Sequence, residues 1–151
     1  MKNILLLGTL LALSGAVWGQ VAPASTDFKS DVCAQCNMAV TNQNYAAQIV
    51  TTGKPLFFDD IGCLVQYERA KKIKAASIKV RYVRSVVGDA WVQADKAVWL
   101  TTKDVRTPMG YGLHAFADQK SADAFVKANK SAKPIAWKDV PAAVPDGMGS
   151  M

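Results

Sequence analysis

The hydrophobic pattern divides the chain into two stretches with the same order of elements. Residues 45–51 alternate apolar and polar positions as a strand does, residues 56–58 form a second apolar run, and Thr52-Gly53-Lys54 between them reads as a hairpin turn. Asp59-Asp60 then offers a helix N-cap. Ile61, Leu64 and Val65 follow at helical spacing, predicting a helix to about Lys72 with basic residues in its last turn, where the macrodipole favours them. Over residues 78–87, Ile78, Val80 and Tyr82 alternate with lysine and arginine, a strand with one wet face. Gly88-Asp89 breaks the chain and the order returns. Ala97-Val98-Trp99-Leu100-Thr101-Thr102 resembles Ala47-Gln48-Ile49-Val50-Thr51-Thr52, and His114-Ala115-Phe116-Ala117-Asp118 takes the place of Leu56-Phe57-Phe58-Asp59-Asp60. Ser121 caps a second helix with Ala122, Phe125 and Val126 on its apolar face, and Pro134-Ile135-Ala136-Trp137 closes as a strand. The pattern predicts an α+β protein: two diverged β-β-α-β units, residues 33–87 and 88–139, forming one compact body.

The ends follow other rules. Residues 1–19 carry one positive charge and then a short apolar run, the form of a secretory signal peptide, with Val17 and Gly19 suited to cleavage before Gln20. That run is shorter than the roughly 20 apolar residues of a membrane span. Ala22 with Ala24 offers a second site before Ser25, and no cysteine lies near either, so a lipid anchor is not supported and the expected address is the periplasm. Residues 20–32 read as a flexible leader, and residues 140–151, with two prolines, two glycines and no periodicity, as a disordered tail.

Half of the 151 residues are apolar and 20% are charged, ordinary for a globular protein. The formal charge is +6, but the basic residues are spread out and lack interleaved aromatics. Even the densest run, Lys71, Lys72 and Lys74, reads as a solvated face and not a nucleic-acid groove.

The chemistry concentrates at Cys33-x-x-Cys36-x-Met38. Cysteine and methionine sulfurs are soft ligands that favour Cu(I), and a thioether needs no deprotonation to bind. A Cys-x-x-Cys pair alone is equally a redox pair, half a zinc site or a structural disulfide. Met38 shifts the balance, because neither a zinc site nor a redox pair needs a thioether two residues on. Cys63 makes the cysteine count odd, leaving at least one thiol without an internal disulfide partner. Thr107-Pro108-Met109-Gly110-Tyr111-Gly112 lengthens the second hairpin, and its proline and glycines give a rigid loop able to present a thioether. Methionine plugging a core gap is the competing account of Met109.

These motifs, with Tyr45-Ala46-Ala47-Gln48-Ile49 and Phe58-Asp59-Asp60-Ile61-Gly62-Cys63, resemble the NosL family, the accessory copper-binding proteins of nitrous oxide reductase assembly. The likeness runs from Cys33 to about Trp137. It implies a non-enzymatic periplasmic Cu(I) carrier with two β-β-α-β units, whose partner is a copper acceptor in the reductase maturation apparatus. Carried onto this chain, it makes Cys36, Met38 and Met109 the preferred ligands, with Cys33 a further ligand, a thiol that first meets the metal, or a disulfide partner. Asn37 stands where the family often has glycine. Four residues are set aside: His114 as structural or surface, Cys63 as a small core residue near the apolar helix face, and Asp59 and Asp60 as capping groups. The alternative function is a thiol-disulfide oxidoreductase using Cys33 and Cys36. Such pairs usually sit at a helix start, whereas this one precedes a polar turn and a strand. A third option is a docking module with a purely structural sulfur cluster.

Overall fold

The computed structural model describes residues 21–70 and 72–146. The proposed signal peptide lies outside the described residues.

Both units form as the pattern predicts. In the first, strand β1 (Ala47–Thr51) pairs antiparallel with β2 (Leu56–Phe58) and β3 (Ile78–Arg84), and helix α1 (Ile61–Arg69) connects β2 to β3. In the second, β5 (Val98–Thr101) pairs with β6 (Leu113–Phe116) and with the two-residue β7 (Lys133–Pro134), and α2 (Gln119–Ala128) makes the connection. The sheet orders β2-β1-β3 and β6-β5-β7 are the same. The repeat is therefore structural, although the sequence match sits one residue off. Ala47 pairs with Phe58, but Val98, and not Ala97, pairs with Phe116.

Four boundaries depart from the pattern. Residues 88–93, assigned from sequence to the second unit, turn back at Gly88 and Asp89 (φ 86° and 51°) and add β4 (Trp91–Gln93) to the first sheet beside β3. The first helix ends at Arg69, before Lys72. The closing strand stops at Pro134, and Trp137 starts a 3-10 turn (Trp137–Asp139) whose indole stacks on Trp99 at 5.2 Å. Residues 140–146 are not a loose tail. Helix α3 (Val140–Ala143) buries Val140, Val144 is also buried, and Arg69 donates to the Pro141 and Val144 carbonyls and pairs with Asp146 at 2.5 Å. Two buried valines and the satisfied carbonyls outweigh the ordering cost that composition alone suggested would win. The leader is likewise tied down. The Ala24 N–H donates to the Gln48 side chain at 2.7 Å, Tyr82 donates to the Val21 carbonyl, and Phe28 packs on the core.

One hydrophobic cluster spans both units, joining Ile49, Phe58, Ile61, Leu64 and Val83 to Trp99, Leu113 and Ala115. A smaller one lies under α2 around Leu100, Phe116 and Ala122. The shared core makes the two units one body. It also brings the long loop of the second unit, residues 102–112, to the N-terminus of α1.

Candidate metal site

The sulfur motif is held as a closed turn before any ligand is considered. An isolated bridge joins Val32 to Ala39, the Cys33 N–H donates to the Met38 carbonyl at 2.8 Å, and the Asn37 N–H donates to the Cys33 carbonyl at 3.0 Å. Closing this turn needs a left-handed residue after Cys36, and Asn37 supplies it at φ 60°. Asparagine is among the few non-glycine residues that adopt this conformation at modest cost. The turn thus closes without a glycine at this position. The Ala34 N–H then donates to the Phe57 carbonyl at 2.9 Å, which lays the turn against the end of β2.

The chain leaves β2 through Asp59 and Asp60, and these two carboxylates do different work. Asp60 is the N-cap, accepting from the Gly62 N–H at 2.8 Å. Its other oxygen accepts from the Met109 N–H at 2.9 Å, and the Thr107 hydroxyl also donates to this carboxylate. Burial pushes the Asp60 carboxyl up, and these hydrogen bonds oppose that shift. Asp59 is not a cap. It is buried and accepts from the Cys36 thiol at 3.4 Å. The capping expectation thus holds for Asp60 and is corrected for Asp59.

Cys63, the third residue of α1, is buried as its helical position requires, but among sulfurs as well as carbon. One ligand atom from each of Cys33, Cys36, Asp59 and Cys63 can be chosen so that all lie within 4.8 Å of one another. Metal–sulfur bonds near 2.3 Å place thiolates roughly 3.8–4.0 Å apart in a tetrahedral or trigonal site, so the set suits one soft ion. All three cysteines are free thiols. Cys33 is lowered to about 7, chiefly because the Cys63 thiol donates to it, with the Cys36 and Asp59 amides adding to the effect. Cys36 is pushed up to about 12, first by burial, against the Met38 amide that favours its thiolate. Cys63 is pushed up by its hydrogen bond to Cys33 and by burial.

The two methionines differ in exposure. Met38 is 46% exposed. Met109 is half-buried against the main core in a turn closed by the Gly110 N–H to the Thr107 carbonyl at 3.0 Å, with Pro108 in its second position. The Asp60 bridge fastens that turn to the start of α1. Tyr111 strengthens the dock, since a methyl group at Gly62 would stand 2.0 Å from its ring. His114 is elsewhere, buried between the rings of Tyr45 (5.6 Å) and Phe125 (5.0 Å). Among the described residues neither nitrogen has a partner in strict hydrogen-bond geometry; burial pulls its pKa down, and a looser contact with the Thr102 backbone opposes that shift.

Sequence reasoning passed over Asp59 and Cys63. Both flank the cap, Asp59 just before it and Cys63 three residues after, but only the turn at Cys33, laid on the end of β2 by the Ala34–Phe57 hydrogen bond, brings them to the other thiols.

Comparison with curated proteins returned no match. Among solved structures, the chain is similar to the crystal structure of the copper chaperone NosL from Shewanella denitrificans. The TM-score is 0.66 at 19% identity, over 78% of this chain and 94% of that one. The two share a fold. The model of the NosL family matches residues 25–145, which take in the sulfur turn, both β-β-α-β units and the methionine loop, and the chain accordingly belongs to the NosL family.

Proposed function

We propose that this protein carries Cu(I) in the periplasm and passes it to the assembly machinery of nitrous oxide reductase, without catalysing a reaction itself. The observation that carries this reading is the convergence of three free thiols, with Cys36 half-buried and Met38 exposed beside it. A set dominated by sulfur selects a soft ion, and copper in its monovalent state is the soft ion of that class. Family membership and the fold shared with a copper chaperone point the same way.

In this reading copper is cargo. Cys36, Met38 and Met109 capture it, with Cys33 as a further thiolate. Neutral thioethers bind at any pH and release without waiting for a proton, so they suit an ion that must leave. An acceptor's ligand approaches from the exposed Met38 side and replaces these donors one at a time.

The redox alternative has one supporting observation, the lowered Cys33. An oxidoreductase, however, presents its low-pKa thiolate to solvent. Here the lowered thiol is the fully buried one, and the more accessible Cys36 is pushed up. That polarity is wrong for attack on an external disulfide.

Anaerobic titration of the reduced mature protein with Cu(I) against a competing chelator tests the copper reading. One ion per chain is expected, with binding lost in the Cys36→Ser, Met109→Leu double variant. Equal binding by the double variant and the wild type would end it.

A further inference from the structure

We propose that Cys63 is a third thiolate of the metal site. Cys33, Cys36 and Cys63 then form an inner three-sulfur resting position for Cu(I), beneath the capture position made by Cys33 and Cys36 with the methionines. This rests on the copper-carrier reading and adds to it a ligand from α1 and a second location for the ion.

The geometry is specific. Cys33 and Cys63 are both fully buried and hydrogen-bonded to each other, and all three sulfurs fall within the 4.8 Å limit shared with Asp59. A packing role would account for one buried cysteine. It does not call for two further thiols and a buried carboxylate turned toward it, since polar groups gathered in a core cost free energy unless something engages them. Each sulfur also sits on a fixed support. Cys33 and Cys36 belong to the turn closed by Asn37, and Cys63 lies in the first turn of a helix whose start is locked by Asp60.

Three thiolates around a monovalent ion leave net negative charge, which the interior would ordinarily resist. Here that charge falls at the N-terminus of α1, where the macrodipole is positive. The Cys36 and Asp59 amides point at the Cys33 sulfur and the Met38 amide at the Cys36 sulfur. As the ion moves inward, the copper–sulfur bond to Cys63 forms, those to the thioethers break while that to Cys33 is kept, and the Cys63 thiol releases its proton to solvent. Copper stays monovalent throughout. Cys33 and Cys36 belong to both positions and never have to let go during the move.

The test is copper-edge X-ray absorption with chelator competition on anaerobically loaded mature protein: wild type, Cys63→Ser, Cys63→Ala and Met109→Leu. Wild type and Met109→Leu should each show three sulfurs. Both Cys63 variants, left with the capture position, should show fewer thiolate sulfurs and thioether in their place, with affinity falling by more than about tenfold, the lower bound for losing even an outer-shell partner. Thermal melting establishes that the variants are folded. Folded Cys63 variants with an unchanged thiolate count and affinity would overturn the proposal. Should both Cys63 variants fail to fold, a Met38→Leu, Met109→Leu double variant decides, because only Cys33 and Cys36 then remain besides Cys63: three retained sulfurs uphold the inner position and two overturn it. A wild type that takes up no Cu(I) at all would instead sink the underlying copper reading, a separate and recognisable result.

Discussion

The two β-β-α-β units share a topology and even a cap, yet only one carries the thiol cluster. Asp60 and Asp118 each follow a buried phenylalanine by two residues and start a helix. The positions around them differ. Asp59 in the first unit corresponds to Ala117 in the second, Gly62 to Lys120, and Cys63 to Ser121. In the first unit the helix start is covered by the sulfur turn and the long loop, and the Asp60 carboxyl is pushed up by burial. In the second it is open to water, and the hydrogen bonds from Ser121 pull the Asp118 carboxyl down. One local motif thus serves as a linchpin where it is buried and as a plain cap where it is wet. The second unit gives its own helix start no chemistry. What it contributes instead is its lengthened hairpin, which lies over the helix start of the first.

The largest expected break in this comparison comes from removing both caps in turn. Asp60→Ala leaves the Gly62 and Met109 amides and the Thr107 hydroxyl without their acceptor in a buried place. It should cost about 3 kcal/mol, combining a lost cap with buried donors left unsatisfied. Asp118→Ala, facing solvent, should cost distinctly less, and urea melts of the two variants check the order. Equal losses would mean that the Asp60 bridge does not hold the loop.

A smaller effect is expected at the glycine that lets the loop approach. Gly62→Ala would drive a methyl group into the buried Tyr111 ring and should cost about 2 kcal/mol by overpacking. Lys120→Ala, its exposed counterpart, should leave stability nearly unchanged. Thermal unfolding of both variants reads the difference.

The third expectation isolates the second unit through His114. Its folded pKa lies below the ordinary 6.5, so the folded state refuses a proton that the unfolded chain accepts. Stability is then fully present above pH 6.5 and is lost as pH falls below it, by up to about 1.4 kcal/mol per pH unit. The facing Tyr45 is pushed up by burial, stays neutral across this window and cannot supply the slope. Denaturation midpoints from pH 7.5 down to pH 5 should therefore fall less steeply in His114→Phe than in the wild type. Parallel curves would show that His114 does not couple to folding.

Much of this was legible in the residues. Alternation and helical spacing located the strands of both hairpins, both connecting helices and the repeat, because a period of two or of 3.6 sorts residues onto faces without reference to any neighbour. The sulfur turn and the Pro-Met-Gly loop were legible for a similar reason, since ligand softness and turn chemistry belong to short stretches of chain. The missed features all depend on what lies across from a residue. Residues 88–93 joined the first sheet because β3 offered an open edge, and residues 140–146 became ordered because Arg69 and the core received them. Asp59 and Cys63 read as a cap and a core residue until the turn at Cys33 was laid over the end of β2. A sequence determines which donors a segment can offer and how stiffly it presents them. Which donors meet depends on contacts between residues tens of positions apart, and only packing the two units around one core decided those.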